Sequence, residues 1–115
     1  MSDESNAGGV DDSGERIVRN DEKGRYEAWV GDSLAGITAF QPAATAGEVI
    51  FPHTVIGDEF EGRGLGGRLV KYAMEDAAAR GETVVPECSF VRRWLSQHEV
   101  AGLSVREPTA GDLPA

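Results

Sequence analysis

The sequence lacks several features that mark secreted, membrane and metal-cluster proteins. It holds one cysteine in 115 residues. A single thiol excludes an internal disulfide and a thiolate metal cluster, and it is typical of a reducing compartment. No run approaches the roughly 18 apolar residues of a membrane-spanning helix, and the start lacks the basic segment and apolar stretch of a signal peptide. We therefore expect a cytoplasmic protein that binds neither membrane nor metal.

Positive charge is also scarce, but the excess of acid is concentrated. Of the 20 acidic residues, five lie in the first fifteen positions, where there is no lysine or arginine. From Arg16 to Arg106 thirteen acids accompany eleven bases, with no basic stripe, which argues against a nucleic-acid partner. The start and the end cannot bury enough apolar surface to offset ordering, which predicts disordered tails over residues 1–15 and 107–115. Residues 16–106 suffice for one small domain.

Between the tails, the spacing of apolar residues predicts an α+β (α/β) domain. Alternating stretches predict strands, the first three joined by a loop ending at Gly24 and by the two-residue turn Gly31-Asp32. Apolar residues then recur at helical spacing from Leu65, and Gly81 would end that helix. The order is β-β-β-β-α-β-α, with a short candidate strand at the end. This describes a mixed, mainly antiparallel sheet of five to six strands with two helices.

The loop before the first helix, Gly62-Arg63-Gly64-Leu65-Gly66-Gly67, is rich in glycine. The first N–H groups of a helix have no partner within it, and the helix dipole places positive charge there. Backbone of this kind predicts an anionic ligand. A phosphate-binding P-loop is excluded because Gly67 is followed by Arg68 and Leu69 rather than by lysine and a hydroxyl residue.

A dinucleotide-binding fingerprint is the alternative ligand. Gly62, Gly64 and Gly67 satisfy GxGxxG, and Glu87 follows twenty residues after Gly67. The context is weak, because few residues remain after Glu87 for further βα units and antiparallel hairpins precede the loop. NAD(P) therefore remains an alternative ligand, without the fold that usually binds it.

Two segments together resemble a known family. "HTVIGDEFEGRGLGGRLV", which contains Glu61-x-x-Gly64-x-Gly66, and "VVPECSFVRRWLSQHE" are similar to the GCN5-related N-acetyltransferases, and more narrowly to their small single-domain YjdJ-type members. The resemblance covers roughly residues 16 to 103. It implies a compact GNAT fold and transfer of an acetyl group from acetyl-CoA to an amine. In such folds one strand splays from its neighbour, and Pro52, which lacks a ladder donor, fits a disrupted strand near that place.

The resemblance also implies which residues hold coenzyme A. Thr54, Val55 and Ile56 would offer backbone groups to pantetheine. The glycine loop would hold the pyrophosphate through its backbone amides, and its members are Gly62, Arg63, Gly64, Leu65, Gly66 and Gly67. Arg63 and Arg68 would add positive charge, unless they are ordinary solvated surface arginines.

Cys88 and His53 are the candidate catalytic residues. Cys88 ends the strand after the first helix, so that its sulfur would lie near the thioester; the alternative is a buried cysteine acting as a small apolar residue. His53 would act as general base or as the partner that ionises Cys88; the alternative is a polar core histidine. A direct attack by the amine and a two-step route through Cys88 both remain open.

Two departures from the family pattern support a different function. Glu61 replaces the usual Gln or Arg and brings negative charge to the loop, and Trp94 stands where a tyrosine often returns a proton to the departing thiol. A module that binds CoA or another protein with little turnover is therefore the second hypothesis. The resemblance implies a shallow, open acceptor side that would admit a small-molecule amine or a protein amine, and an exposed edge strand would permit a homodimer.

Overall fold

The computed structural model describes residues 14–109, and the greater part of both predicted tails lies outside this range. Glu15, which the sequence placed in the first tail, is the first residue of a strand. The strands are β1 (Glu15–Asn20), β2 (Arg25–Val30), β3 (Ser33–Ala39), β4 (Gln41–Pro42), β5 (Glu48–Phe51), β6 (Thr54–Ile56), β7 (Thr83–Pro86) and β8 (Ser104–Val105). The helices are α1 (Leu65–Ala79) and α2 (Ser89–Gln97), with a 3-10 turn at Asp58–Phe60. The α+β class with two helices is confirmed.

The first three strands form an antiparallel meander, and both predicted hairpins are confirmed. β1 pairs with β2 across the loop that ends at Gly24, whose φ is +65°. β2 pairs with β3 across Gly31-Asp32, with Val30 opposite Ser33. Gly31 has a φ of +59°, a left-handed conformation that glycine adopts without steric cost. β6 adds to β3 as the fourth strand of this sheet, which we name the meander sheet.

The predicted fourth strand is two strands that belong to different sheets. β5 ends at Phe51, and β6 begins at Thr54 after Pro52 and His53. β5 lies in a second sheet of order β4-β5-β7-β8, where it pairs in parallel with β7. The prediction of one sheet of five to six strands is therefore corrected to two sheets of four. The interruption is at the proline, as its missing N–H suggests.

Helix α1 packs on one face of the meander sheet and supplies much of the core. Its buried residues recur at helical spacing and are Leu65, Gly66, Leu69, Val70, Ala73, Met74 and Ala77. The helix ends as predicted: Gly81 has a φ of +71°, the Gly81 N–H donates to Ala78 O at 3.1 Å, and the Glu82 N–H donates to Ala77 O at 3.0 Å. These two bonds form a Schellman motif. No helix within residues 14–109 is long and apolar enough to cross a membrane.

A polar cluster ties β1 and β2 to α1. The buried Tyr26 hydroxyl donates to Asp76 Oδ2 at 2.7 Å, and Arg19 donates to the Tyr26 oxygen at 2.6 Å. Arg80 donates to the same Asp76 oxygen at 2.8 Å. Burial opposes the charge on Asp76, but the hydrogen bonds from Arg80 and Tyr26 outweigh it and lower its pKa from the ordinary 3.8.

Candidate functional site

The two sheets separate just beyond β5 and β7. The N–H groups of Glu87 and Cys88 both donate to Phe51 O, at 3.2 and 2.9 Å, and these bonds close the parallel pairing. After Phe51 the chain turns at Pro52 and continues as β6, which pairs with β3 alone. A gap therefore opens between β6 and the start of α2.

The hydrogen-bond phase of β6 determines which backbone groups face this gap. The Ala39 N–H donates to His53 O at 2.9 Å, and the Gly57 N–H donates to Ala35 O at 2.8 Å. In an antiparallel ladder such bonded positions alternate with unbonded ones. Val55 therefore directs its N–H and C=O to β3, whereas Thr54 and Ile56 direct theirs into the gap.

The side chains of β6 alternate in the same way. Thr54 and Ile56 face the gap, while the Val55 side chain is 55% exposed on the opposite face of the meander sheet. Of the three residues predicted to offer backbone to a ligand, the structure directs Thr54 and Ile56 to the gap and turns Val55 away from it.

The glycine loop supplies a run of free amides. The N–H groups of Phe60 and Glu61 donate within the 3-10 turn, and the first bond of α1 is from Arg68 N to Gly64 O at 3.2 Å. The six N–H groups from Gly62 to Gly67 have no acceptor among residues 14–109. Gly62 and Gly64 have φ of +84° and +75°, so the loop needs glycine at both positions. Free amides and the positive end of a 15-residue helix are features that suit an anionic ligand.

A cavity of about 400 Å³ joins the gap to the glycine loop. Its walls come from β6, the 3-10 turn, the start of α1 and the start of α2. The lining residues are Thr54, Ile56, Phe60, Glu61, Gly62, Gly64, Leu65, Gly66, Gly67 and Phe90. Most of the residues predicted to bind a cofactor thus surround one space.

The two predicted cationic residues each have a side-chain partner. Arg68 donates to both carboxylate oxygens of Glu15, at 2.8 and 2.7 Å, and Glu15 is 6% exposed. The Arg63 guanidinium lies 5.4 Å from the centre of the Phe60 ring. Neither arginine lines the cavity, although Arg68 Nη1 lies beside the glycine loop, 3.2 Å from the place of a Cβ on the N-cap glycine of α1. Glu61 is the one acidic residue among those that line the cavity.

The structure does not bring Cys88 and His53 together. Cys88 is 7% exposed and does not line the cavity; its thiol donates to Thr54 Oγ1 at 3.4 Å. His53 is exposed and makes no side-chain hydrogen bond or ring contact within residues 14–109. Because side chains alternate along the strand, His53 shares the outer face with Val55, whereas Thr54 faces Cys88.

Sequence reasoning missed three residues of the site. Phe60 and Phe90 form aromatic walls of the cavity. A methyl group on Gly66 would lie only 2.6 Å from Phe90 Cζ, so this glycine permits the contact. The third residue is Thr38 on β3, which lies opposite Thr54 on β6, with their hydroxyl oxygens 2.9 Å apart. Helical spacing of apolar residues in α2 is the one available signal for Phe90, and it does not show that Phe90 is exposed while Val91 and Trp94 are buried.

Comparison with known proteins gives one result on family. A family model described as GCN5-related N-acetyl-transferase matches residues 25–102, from the start of β2 to beyond α2. The match includes every residue that lines the cavity. No curated protein matches the chain.

Proposed function

The chain belongs to the GCN5-related N-acetyltransferase family, and from this membership we propose that it transfers the acetyl group of acetyl-CoA to an amine. The observation that carries the proposal is the run of six unpartnered N–H groups from Gly62 to Gly67 beside the gap. A helix N-terminus with free amides suits a diphosphate, and the cavity continues from there to the backbone of β6.

The described residues fit coenzyme A along the length of the cavity. The glycine loop would hold the diphosphate, and the gap-facing backbone of Thr54 and Ile56 would hydrogen-bond the amide groups of pantetheine. Phe60 and Phe90 would cover the apolar parts of the arm. Acetyl-CoA supplies an activated acyl group whose thiol can leave. The single cysteine, typical of a reducing compartment, supports a cytoplasmic location.

We propose direct attack by the amine rather than a two-step route through Cys88. Cys88 does not line the cavity, so its sulfur is poorly placed as a nucleophile. The gap-facing N–H groups of β6 would stabilise negative charge on the carbonyl oxygen. His53 lies on the outer face, which favours water as the base for the amine.

The proposal is tested first by binding. Titration with CoA should shift the backbone amide NMR signals of residues 62–67 and of Thr54 and Ile56 most strongly. Val55 is an internal control, since its N–H is directed to β3. Unchanged signals in the glycine loop at millimolar CoA would contradict the proposal. A parallel thermal-shift series with NAD(P) tests the dinucleotide alternative through ligand linkage.

A CoA-binding module with little turnover is the second candidate function. Glu61 on the cavity wall and the indole of Trp94, which cannot act as an acid, favour it. Acetyl transfer to a panel of small amines, polyamines and lysine peptides separates the two. CoA binding without transfer to any of these amines would support the module.

A further inference from the structure

Three side chains form a hydrogen-bonded row that ends at the cavity. Thr38 on β3 lies opposite Thr54 on β6, and the two hydroxyl oxygens are 2.9 Å apart. Cys88 Sγ lies 3.4 Å from the same Thr54 oxygen. Thr38 is fully buried and Cys88 nearly so, whereas Thr54 lines the cavity. Thr54 is therefore the one member of the row that reaches the cavity.

The hydrogen count of the row assigns a direction to one bond and allows two directions for the other. A threonine oxygen can accept two hydrogen bonds and donate one. Cys88 donates its S–H to Thr54, and either threonine can be the donor in the other contact. If Thr38 donates, Thr54 accepts twice and its own hydrogen is directed to the cavity. Hydroxyls that accept such bonds become stronger donors, because hydrogen bonds in a chain polarise one another.

No other acid occupies this end of the cavity. Within residues 14–109, no tyrosine lines it, and the one ionisable side chain on its wall is Glu61. Glu61 precedes the glycine loop and so belongs to the opposite, diphosphate end. The departing thiol of an acyl transfer needs a proton source near β6, and Thr54 is the hydroxyl that the structure places there.

We propose that Thr54 is a catalytic residue that protonates the departing thiol, that Cys88 replaces the proton, and that Thr38 is a positioning residue. This inference rests on the proposed acetyl transfer. As the C–S bond breaks, its electron pair goes to the leaving sulfur, which takes the Thr54 hydroxyl hydrogen. Thr54 Oγ1 takes the hydrogen from Cys88 Sγ, and the negative charge ends on Cys88. The proton released by the acceptor amine returns through solvent in the cavity to Thr54 Oγ1, the Thr54 hydroxyl hydrogen passes to Cys88 Sγ, and the row is restored.

A spectroscopic test reads the row without any substrate. Because the chain has one cysteine, its infrared S–H stretching band reports Cys88 alone. Thr54→Val should move the band to the frequency of a thiol without a hydrogen bond, and Thr54→Ser should leave it in place. An unmoved band in Thr54→Val would show that the thiol does not bond to this hydroxyl, and would overturn the proposal. Thermal melting of each variant confirms that it is folded.

Kinetics test the proton transfer itself. Thr54→Val should lower kcat on the order of 100-fold, the scale of a lost general acid, with CoA affinity within about twofold of the wild type. Cys88→Ala should lose a similar factor, and the double variant no more than either single variant, because the two act in series. Thr38→Val should lower kcat several-fold, and Thr38→Ser should restore it.

The outcomes separate the two proposals. An active wild type with an equally active Thr54→Val variant overturns the relay and leaves acetyl transfer intact. The relay is also overturned if the losses of kcat in the two single variants multiply in the double variant. Acetylated Cys88 in quenched reactions would overturn it as well. A wild type that acetylates no amine removes the proposed function itself.

Discussion

Glu61 sets the electrostatics of the cavity at the scale of single residues. Within the described chain it is the one ionisable residue on the cavity wall. Neither nearby arginine lines the cavity, since Arg68 is paired with Glu15 and Arg63 lies over Phe60. An anion in the glycine loop would therefore be attracted by amides and repelled by one carboxylate.

Replacing this carboxylate should strengthen binding. Glu61→Gln is expected to lower the Kd for CoA several-fold, because an exposed charge interaction is worth up to about 1 kcal/mol. The gain should shrink as salt is raised. Glu59→Gln is the matched control, since Glu59 is an exposed carboxylate on the adjacent 3-10 turn that does not line the cavity. Equal gains in both variants would show a general charge effect rather than a contact at the wall.

The positive φ of Gly62 offers a second residue-scale test. Gly62 and Gly102 have φ of +84° and +79°, and a methyl group at either would meet nothing within 4 Å. Alanine in this conformation costs roughly 1–2 kcal/mol, so both variants should be destabilised alike. Only Gly62→Ala should weaken CoA binding, as measured by calorimetry at a temperature where both variants are folded. Equal affinity in the two variants would contradict a role for the loop conformation.

At the scale of elements, α1 begins with residues that suit a ligand and ends with residues that suit the helix. Its N-cap, Gly64, makes no side-chain cap, and Gly66 and Gly67 occupy the first turn. Its C-terminus is closed by the Schellman motif at Gly81. Glycine is unfavourable within a helix, so the uncapped, glycine-rich start gives up stability in order to keep backbone accessible.

Alanine at the two helical glycines should have opposite effects on stability. A methyl group on Gly67 would lie 4.0 Å from Trp94 Nε1 and fits, so Gly67→Ala should raise the free energy of unfolding by up to about 1 kcal/mol. Gly66→Ala should lower it, because its methyl group would lie 2.6 Å from Phe90 Cζ. Urea denaturation measures both. Phe90→Ala combined with Gly66→Ala provides the control, since removal of the ring should abolish the clash.

At the scale of the whole molecule, the hairpins and helices could be predicted from the sequence, whereas the pairing of strands far apart in the chain could not. Turn glycines such as Gly24 and Gly31 and the helical spacing from Leu65 depend on nearby residues, so the hairpins and α1 could be read from the sequence. Pro52 marked a break, but the identity of the strand that β6 would join depended on contacts with β3. The glycine loop could be found in the same way, although its function in binding remains a prediction.

The side-chain directions at the site depended on the same distant contacts. The phase of β6 after the break decides that Thr54 faces Cys88 while His53 and Val55 face outward. No local pattern fixes that phase. The partner of Arg68 was equally hidden, because Glu15 lies 53 residues earlier in the chain. Sequence reasoning therefore found most of the residues that line the cavity but could not predict the directions of their side chains.

The hydrogen-bonded cluster around Asp76 links β1, β2 and α1, and we expect it to make the free energy of unfolding depend on pH. Because the pKa of Asp76 is lowered on folding, its contribution is complete above the unfolded value of 3.8 and is lost as pH falls through the lower, folded value. Asp76→Asn should therefore reduce the free energy of unfolding by roughly 1–3 kcal/mol near neutral pH, the scale for lost hydrogen bonds to a charged group. The difference in unfolding free energy between the wild type and Asp76→Asn should narrow as the pH falls below 3.8. Glu75→Gln is the control, since its exposed carboxylate has one 3.8 Å contact, with Lys71, and should change little at any pH. Urea denaturation across this pH range measures both variants. If the loss of unfolding free energy in Asp76→Asn stays constant down to the lowest pH, the charge on Asp76 does not stabilise the fold.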